Sequence, residues 1–151
     1  MSKSTFKIRL MQSTDYAAVV RIDEKVLKVA RPEYYKLKFE ELVQSTDRLP
    51  TSFVAEQEDG TVVGFVIGEL FIGEYGISQE ATLVTIGVDP DYQNKGIGKK
   101  LIDEFVGHLR SLGARKISTL VDSTNSTMMH FFTTNLFTSS KTVNLERVRR
   151  D

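Results

Sequence analysis

The chain has 151 residues, with 20 Lys and Arg matched by 20 Asp and Glu, 40% hydrophobic residues and no cysteine. That length fits a single domain spanning 1–151, and the composition is that of a globular protein able to bury about two-thirds of its unfolded surface. Zero net charge argues against a general nucleic-acid binder; the lack of Cys excludes disulfides, thiolate metal sites and a cysteine nucleophile, and two histidines are too few for a His-rich metal site.

In chain order, Phe6, Ile8 and Leu10 alternate with Lys7 and Arg9, the pattern of a half-buried strand. This start has no apolar signal core, so the expectation is a cytoplasmic protein. Ser13, Thr14 and Asp15 offer cap chemistry for a helix carrying Val19, Val20, Ile22, Val26 and Leu27. Pro32-Glu33 opens a second helical stretch with Tyr34, Tyr35, Leu37, Leu42 and Val43 as apolar positions. Residues 52–58 and 61–71 read as strands around Asp59-Gly60, a tight-turn signal. The stretch 61–73 is too short to span a bilayer, and no membrane partner is expected. Residues 81–88 form another β-branched strand, stopped by Asp89-Pro90. Leu101, Ile102, Phe105, Val106, Leu109 and Leu112 then make a helical stripe ending near Gly113. A strand over 116–121, a helix over 125–137 and short strands at Thr142-Val143 and Leu145/Val148 complete the order. The sum is a mixed α/β fold, a mostly antiparallel central sheet flanked by helices, without repeats or linkers.

The segment Val88-Asp-Pro-Asp-Tyr-Gln-Asn-Lys-Gly-Ile-Gly-Lys-Lys-Leu101 holds the chemistry. A strand ends, a polar loop follows, and two glycines open an amphipathic helix. Free N–H groups and the positive dipole end at a helix start form an anion site, and Lys95, Lys99 and Lys100 add charge around it. A P-loop needs Gly-x-x-x-x-Gly-Lys-Ser/Thr, which is absent. A dinucleotide fingerprint needs a third glycine where Leu101 stands. The pattern that fits is Gln/Arg-x-x-Gly-x-Gly/Ala after a strand ending Val-x-Pro, met by Gln93, Gly96 and Gly98 after Val88-Asp89-Pro90.

On these residues, and on the element order of nearly the whole chain, the sequence resembles the GCN5-related N-acetyltransferase (GNAT) superfamily. The resemblance implies that Gln93, Asn94, Lys95, Gly96, Ile97 and Gly98 wrap the pyrophosphate of acetyl-CoA through main-chain N–H groups, with Lys99 nearby. It implies that the main chain at Val88 pairs with the pantetheine arm and helps polarise the thioester carbonyl. Asn125 matches an Asn that contacts the cofactor arm, with a plain helix N-cap as the equal alternative. It also admits a homodimer.

One departure stands out. Phe131-Phe-Thr-Thr-Asn-Leu-Phe137 aligns with a pattern resembling Phe-Tyr-x-x-x-Gly-Phe, whose Tyr lies near the departing sulfur. Phe132 occupies that cofactor-side place and has no proton to give, and Leu136 replaces the glycine. A thiol titrating near roughly 8.5 is still a tolerable leaving group. The acceptor amine needs a base, for which Glu69, Glu74 and Glu80 are candidates with Glu69 first, and Tyr75 is an acceptor-binding candidate. His108 and His130 read as surface or core-edge residues.

The expected function is acetyl-CoA-dependent transfer to a primary amine, on a small molecule or a protein, by direct attack in a ternary complex. The alternative is a non-catalytic acyl-CoA-binding or regulatory module, fed by Phe132. The charge pattern adds an expectation: from Glu69 to Asp91 there are five acids and no base, while from Gln93 to Lys116 six bases face two acids. That segregation suits a cationic amine beside cofactor phosphates.

Overall fold

A computed structural model describes residues 5–72 and 79–149. The N-terminal alternation folds as β1 (Phe6–Leu10), followed by a 3₁₀ turn at Ser13–Asp15 and α1 (Tyr16–Leu27). α1 buries Val19 and Ile22 but leaves Val26 and Leu27 exposed at its end, where Lys28 turns left-handed. α2 (Pro32–Lys38) begins on proline and runs into a π-helical turn over Phe39–Val43, so the second helical stretch changes pitch midway. Tyr35, Phe39 and Leu42 are buried there, whereas Leu37 is exposed.

Three strands follow as an antiparallel meander: β2 (Phe53–Gln57), β3 (Val62–Ile72) and β4 (Gln79–Val88). The turn between β2 and β3 has Gly60 at φ 90°, and the Asp59 carboxylate accepts from the Thr61 N–H at 2.9 Å. α3 (Ile97–Ser111) returns the chain to β5 (Lys116–Ser118), which pairs parallel to β4. The sheet order is β1-β2-β3-β4-β5.

Alternation along β3 gives the sheet two different faces. Phe65 and Ile67 join Val19, Ile22, Tyr35, Phe39 and Leu42 in the core under α1 and α2. The opposite face carries Gly64 and Gly68, and α3 lies against it. A Cβ on Gly64 would meet Ile97 and Leu101, and one on Gly68 would strike the Phe105 ring. These two glycines let α3 seat closely enough to bury Leu101, Phe105 and Leu109, each contributing on the order of 1.5–3 kcal/mol.

The described chain forms two compact units, one through Leu120 and one from Val121. In the second, α4 (Ser126–Thr134) starts at an Asn125 cap. It stops before the expected 137, because Leu136 takes a left-handed φ of 72°. Residues 138–149 form no strand, against the expectation at 142–148. Val143, Leu145 and Val148 are exposed, and so short an apolar alternation has nothing to bury against among its charged neighbours. β5 is likewise three residues long rather than six.

Candidate active site

The short β5 shapes the site. Its ladder covers only Glu80, Ala81 and Thr82 of β4, after which the Thr119 hydroxyl donates to the Leu83 carbonyl at 2.9 Å. Beyond that point no described strand pairs with the outer edge of β4, although its inner edge stays laddered to β3 as far as Val88. On the inner side Ile67 lies opposite Thr85 and Gly68 opposite Leu83, so Val84 is an extra residue in a β-bulge. The result is a strand with one free hydrogen-bonding edge leading straight to the Val88 corner.

At that corner a 3₁₀ turn (Pro90–Tyr92) redirects the chain. Asn94 at φ 63° and Gly96 at φ 80° then bend it into the first turn of α3. No side chain caps α3, so its first N–H groups keep their donor capacity. A Cβ built on Gly96 meets nothing within 4 Å, so the cradle is open. Lys95 sits 5.5 Å from the Tyr92 ring centre and Lys100 5.7 Å from that of Phe6. Among the described residues neither has a carboxylate partner. Lys99 instead bonds Asp103 along the helix at 2.7 Å. Gln93 reaches the Val88 carbonyl only by a long 3.5 Å contact. Exposed N–H groups, a positive helix end and two unneutralised lysines suit a pyrophosphate, and the free β4 edge suits an extended amide-bearing arm.

The residues from Val88 to Lys99 are therefore brought together. Glu69 is placed elsewhere, opposite Thr82, about 20 Å along the ladder from Val88 at ~3.3 Å per residue. It accepts a 2.9 Å bond from Arg48 and lines a small hollow with Leu42, Asp47, Leu49, Thr51 and Leu70. Glu80 lies 3.6 Å from Lys116 across the β4–β5 ladder. Glu74 and Tyr75 fall outside the described residues. In the second unit, Asn125 Oδ1 accepts from the Met128 N–H at 3.1 Å, which is helix-cap geometry. Phe132 packs edge-on between Phe131 and Phe137, both 5.2 Å away. His108 bonds the Pro50 carbonyl at 2.8 Å and packs on Phe53, a structural role. No cluster of His, Asp or Glu among the described residues is placed to hold a metal ion, and no described helix is long and apolar enough to cross a membrane.

The acidic run does not survive folding as a free negative surface. Glu69 pairs with Arg48, Glu80 with Lys116, and Asp89 and Asp91 share Lys25. This weakens the expectation of a segregated anionic acceptor side: its four described acids are paired with three bases from other elements. Sequence reasoning missed Arg48 and Lys25. The one local signal was Arg21 and Lys25, four residues apart on one face of α1.

Comparison with known proteins agrees with this geometry. The sequence pattern of the Acetyltransferase (GNAT) family matches residues 16–136, and the chain belongs to that family. It is 33% identical over 79 residues to mycothiol acetyltransferase of Propionibacterium freudenreichii, covering 52% of this chain and 25% of that protein. It is 30% identical over 69 residues to the ribosomal protein bS18-alanine N-acetyltransferase of Escherichia coli K12, covering 46% of this chain and 43% of that one. The matched stretches thus span less than half the length of these relatives. Among solved structures, the aminoglycoside N-acetyltransferase AAC(6')-Iy in complex with CoA superposes with a TM-score of 0.79 at 21% identity, covering 99% of this chain and 98% of that one. The mixed, mostly antiparallel α/β fold is therefore that of the GNAT acetyltransferases.

Proposed function

We propose that this chain is an N-acetyltransferase that carries an acetyl group from acetyl-CoA to a primary amine, with both substrates bound at once. The observation that carries the reading is the junction of the free β4 edge with the uncapped, lysine-flanked start of α3. The aminoglycoside enzyme of the same fold was solved with CoA, and the family match runs across both units, which supports treating 1–151 as one acetyltransferase domain.

In this reading the N–H groups from Asn94 to Lys99 hold the pyrophosphate, with Lys95 as the adjacent free cation. The main chain from Val84 to Val88 pairs with the pantetheine amides, with Val88 beside the cradle, and a main-chain donor at the far, Val84 end faces the oxygen that gains negative charge. Acetyl-CoA supplies the activated thioester when bound. Asn125 belongs to this reading only through its family position, because its side chain already serves the helix. Glu69 is the carboxylate that draws in the ammonium and takes its proton through water: it lies opposite Thr82, far from Val88 but only two positions along the ladder beyond Val84. Phe132 has no proton to give, so in this reading water protonates the thiolate.

Phe132 favours a second reading, in which the chain binds acyl-CoA without transferring it. One experiment separates the two. Calorimetric titration with CoA measures binding, and an amine panel with acetyl-CoA, read as free thiol, measures transfer. Binding with amine-dependent thiol release is expected. Binding with no release from any amine supports the second reading, and no binding overturns both.

A further inference from the structure

The corner between β4 and the phosphate cradle is held by a side chain from another element. Lys25, in the last turns of α1, donates to Asp89 Oδ1 and to Asp91 Oδ2, both at 2.7 Å. Asp89 Oδ1 also accepts the Asp91 N–H at 3.0 Å, so one buried carboxylate binds the ammonium and closes the turn together. The Asp89 main chain is tied down as well: its N–H donates to the Val63 carbonyl and its carbonyl accepts from the Tyr92 N–H, both at 2.8 Å. One helical turn earlier, Arg21 donates to the Val62 carbonyl at 2.7 Å. Two residues of α1 thus grip the start of β3 and the end of β4 from one side.

Such a clamp has two consequences for an anion site four residues downstream. It fixes where the loop leaves the sheet, and it halves the negative charge of two carboxylates that would otherwise repel phosphate. An exposed ion pair would do little of either. Asp89, however, is only 4% exposed, and removing its partner would leave a buried carboxylate uncompensated. Burial pushes the Asp89 carboxyl up, but the Lys25 and Asp91 hydrogen bonds, with the charges of Lys25 and Arg21, outweigh this and hold it below the usual carboxylate range. Lys25 is held above the usual range by the same two acids.

We propose that Lys25 is a positioning residue for coenzyme A: by clamping Asp89 and Asp91 it sets the main-chain cradle at 93–98 for the pyrophosphate. The inference rests on the acetyl-CoA reading above. Its test compares acetyl-CoA with S-acetylpantetheine, a donor that lacks the pyrophosphate and nucleotide, in the wild-type protein and in Lys25→Met, Lys25→Arg and the double variant Lys25→Met/Asp89→Asn. Lys25→Met should raise the CoA Kd and the acetyl-CoA KM about tenfold, leaving kcat and the S-acetylpantetheine kcat/KM unchanged. Lys25→Arg should recover most of the affinity. The double variant leaves no uncompensated buried carboxylate, and it carries the test if Lys25→Met does not fold, with the same tenfold loss expected. An unchanged CoA Kd, or an equal fall in kcat/KM for both donors, overturns the inference. Wild-type protein that binds no CoA overturns the acetyl-CoA reading itself, whereas wild-type binding with unchanged variants overturns only the role of Lys25.

Discussion

Of the left-handed residues beside helix ends, Gly96 and Leu136 differ most in what stands around them. Before α3, Gly96 sits at φ 80° with open space in front of it, inside a loop that keeps the whole Gln-x-x-Gly-x-Gly pattern. After α4, Leu136 sits at φ 72°, where a side chain is strained by about 1–2 kcal/mol, and Phe132 stands where the resembled pattern has its hydroxyl. The first segment retains both geometry and chemistry. The second makes its turn at a cost in strain and carries Phe132, which has no proton to give, where the resembled pattern has Tyr. The contrast teaches that the two motifs vary separately: this chain keeps every residue of the glycine-loop pattern and departs from the Phe-Tyr-x-x-x-Gly-Phe pattern at Phe132 and Leu136.

The largest effect should come from damaging the intact segment. Gly96→Val forces a β-branched residue to positive φ and fills the cradle, so CoA affinity should fall about 10²-fold or more by calorimetry. Glu69→Gln should lower kcat/KM for the amine by about 10²-fold while the CoA Kd stays unchanged, which would separate acceptor chemistry from cofactor binding. Repairing the depleted segment gives the opposite sign. Phe132→Tyr should raise kcat about tenfold, and no gain would show that the missing hydroxyl does not limit turnover. Leu136→Gly should stabilise the protein by about 0.5–1 kcal/mol in denaturant titration, because the leucine is 91% exposed and no packing is lost.

The smallest effect is in pH. Asp89 is held below its ordinary value of 3.8, so its contribution to stability is present above that pH and is lost as the pH falls through the depressed value. Lys25 is raised above 10.5, so its share is present below that pH and is lost as the pH climbs past the raised value. Thermal melts should therefore show a plateau between about pH 4 and pH 10 from this clamp, with acid loss blunted in Asp89→Asn.

Much of the first unit was legible because its information is local. Alternation marked β1, a 3.6-residue stripe marked α3, Asp59-Gly60 marked the hairpin, and the Gly-x-Gly loop marked the cradle. What escaped was set by distant partners. The β-branched run after Lys116 reads as a six-residue strand, yet its pairing ends at Ser118. Val143, Leu145 and Val148 alternate weakly but bury nothing. Lys25 and Asp89 are 64 positions apart in sequence, and no periodicity joins them. The described acids from Glu69 to Asp91 looked like a charged surface because the bases that pair with them lie on other elements. Glu69 and Val88 could be nominated together from sequence, but only the ladder register showed how far apart they stand.

The truncated fifth strand has a consequence for the protein before any ligand arrives. The main chain of Val84–Val88, with no described strand on its outer edge, is a template on which another extended chain can add. Whatever occupies that edge completes the sheet, so it should slow amide hydrogen exchange along β4 and raise the melting temperature with its concentration. The unliganded protein is then the form most prone to edge-to-edge association, and its ligand acts also as a protectant against self-assembly.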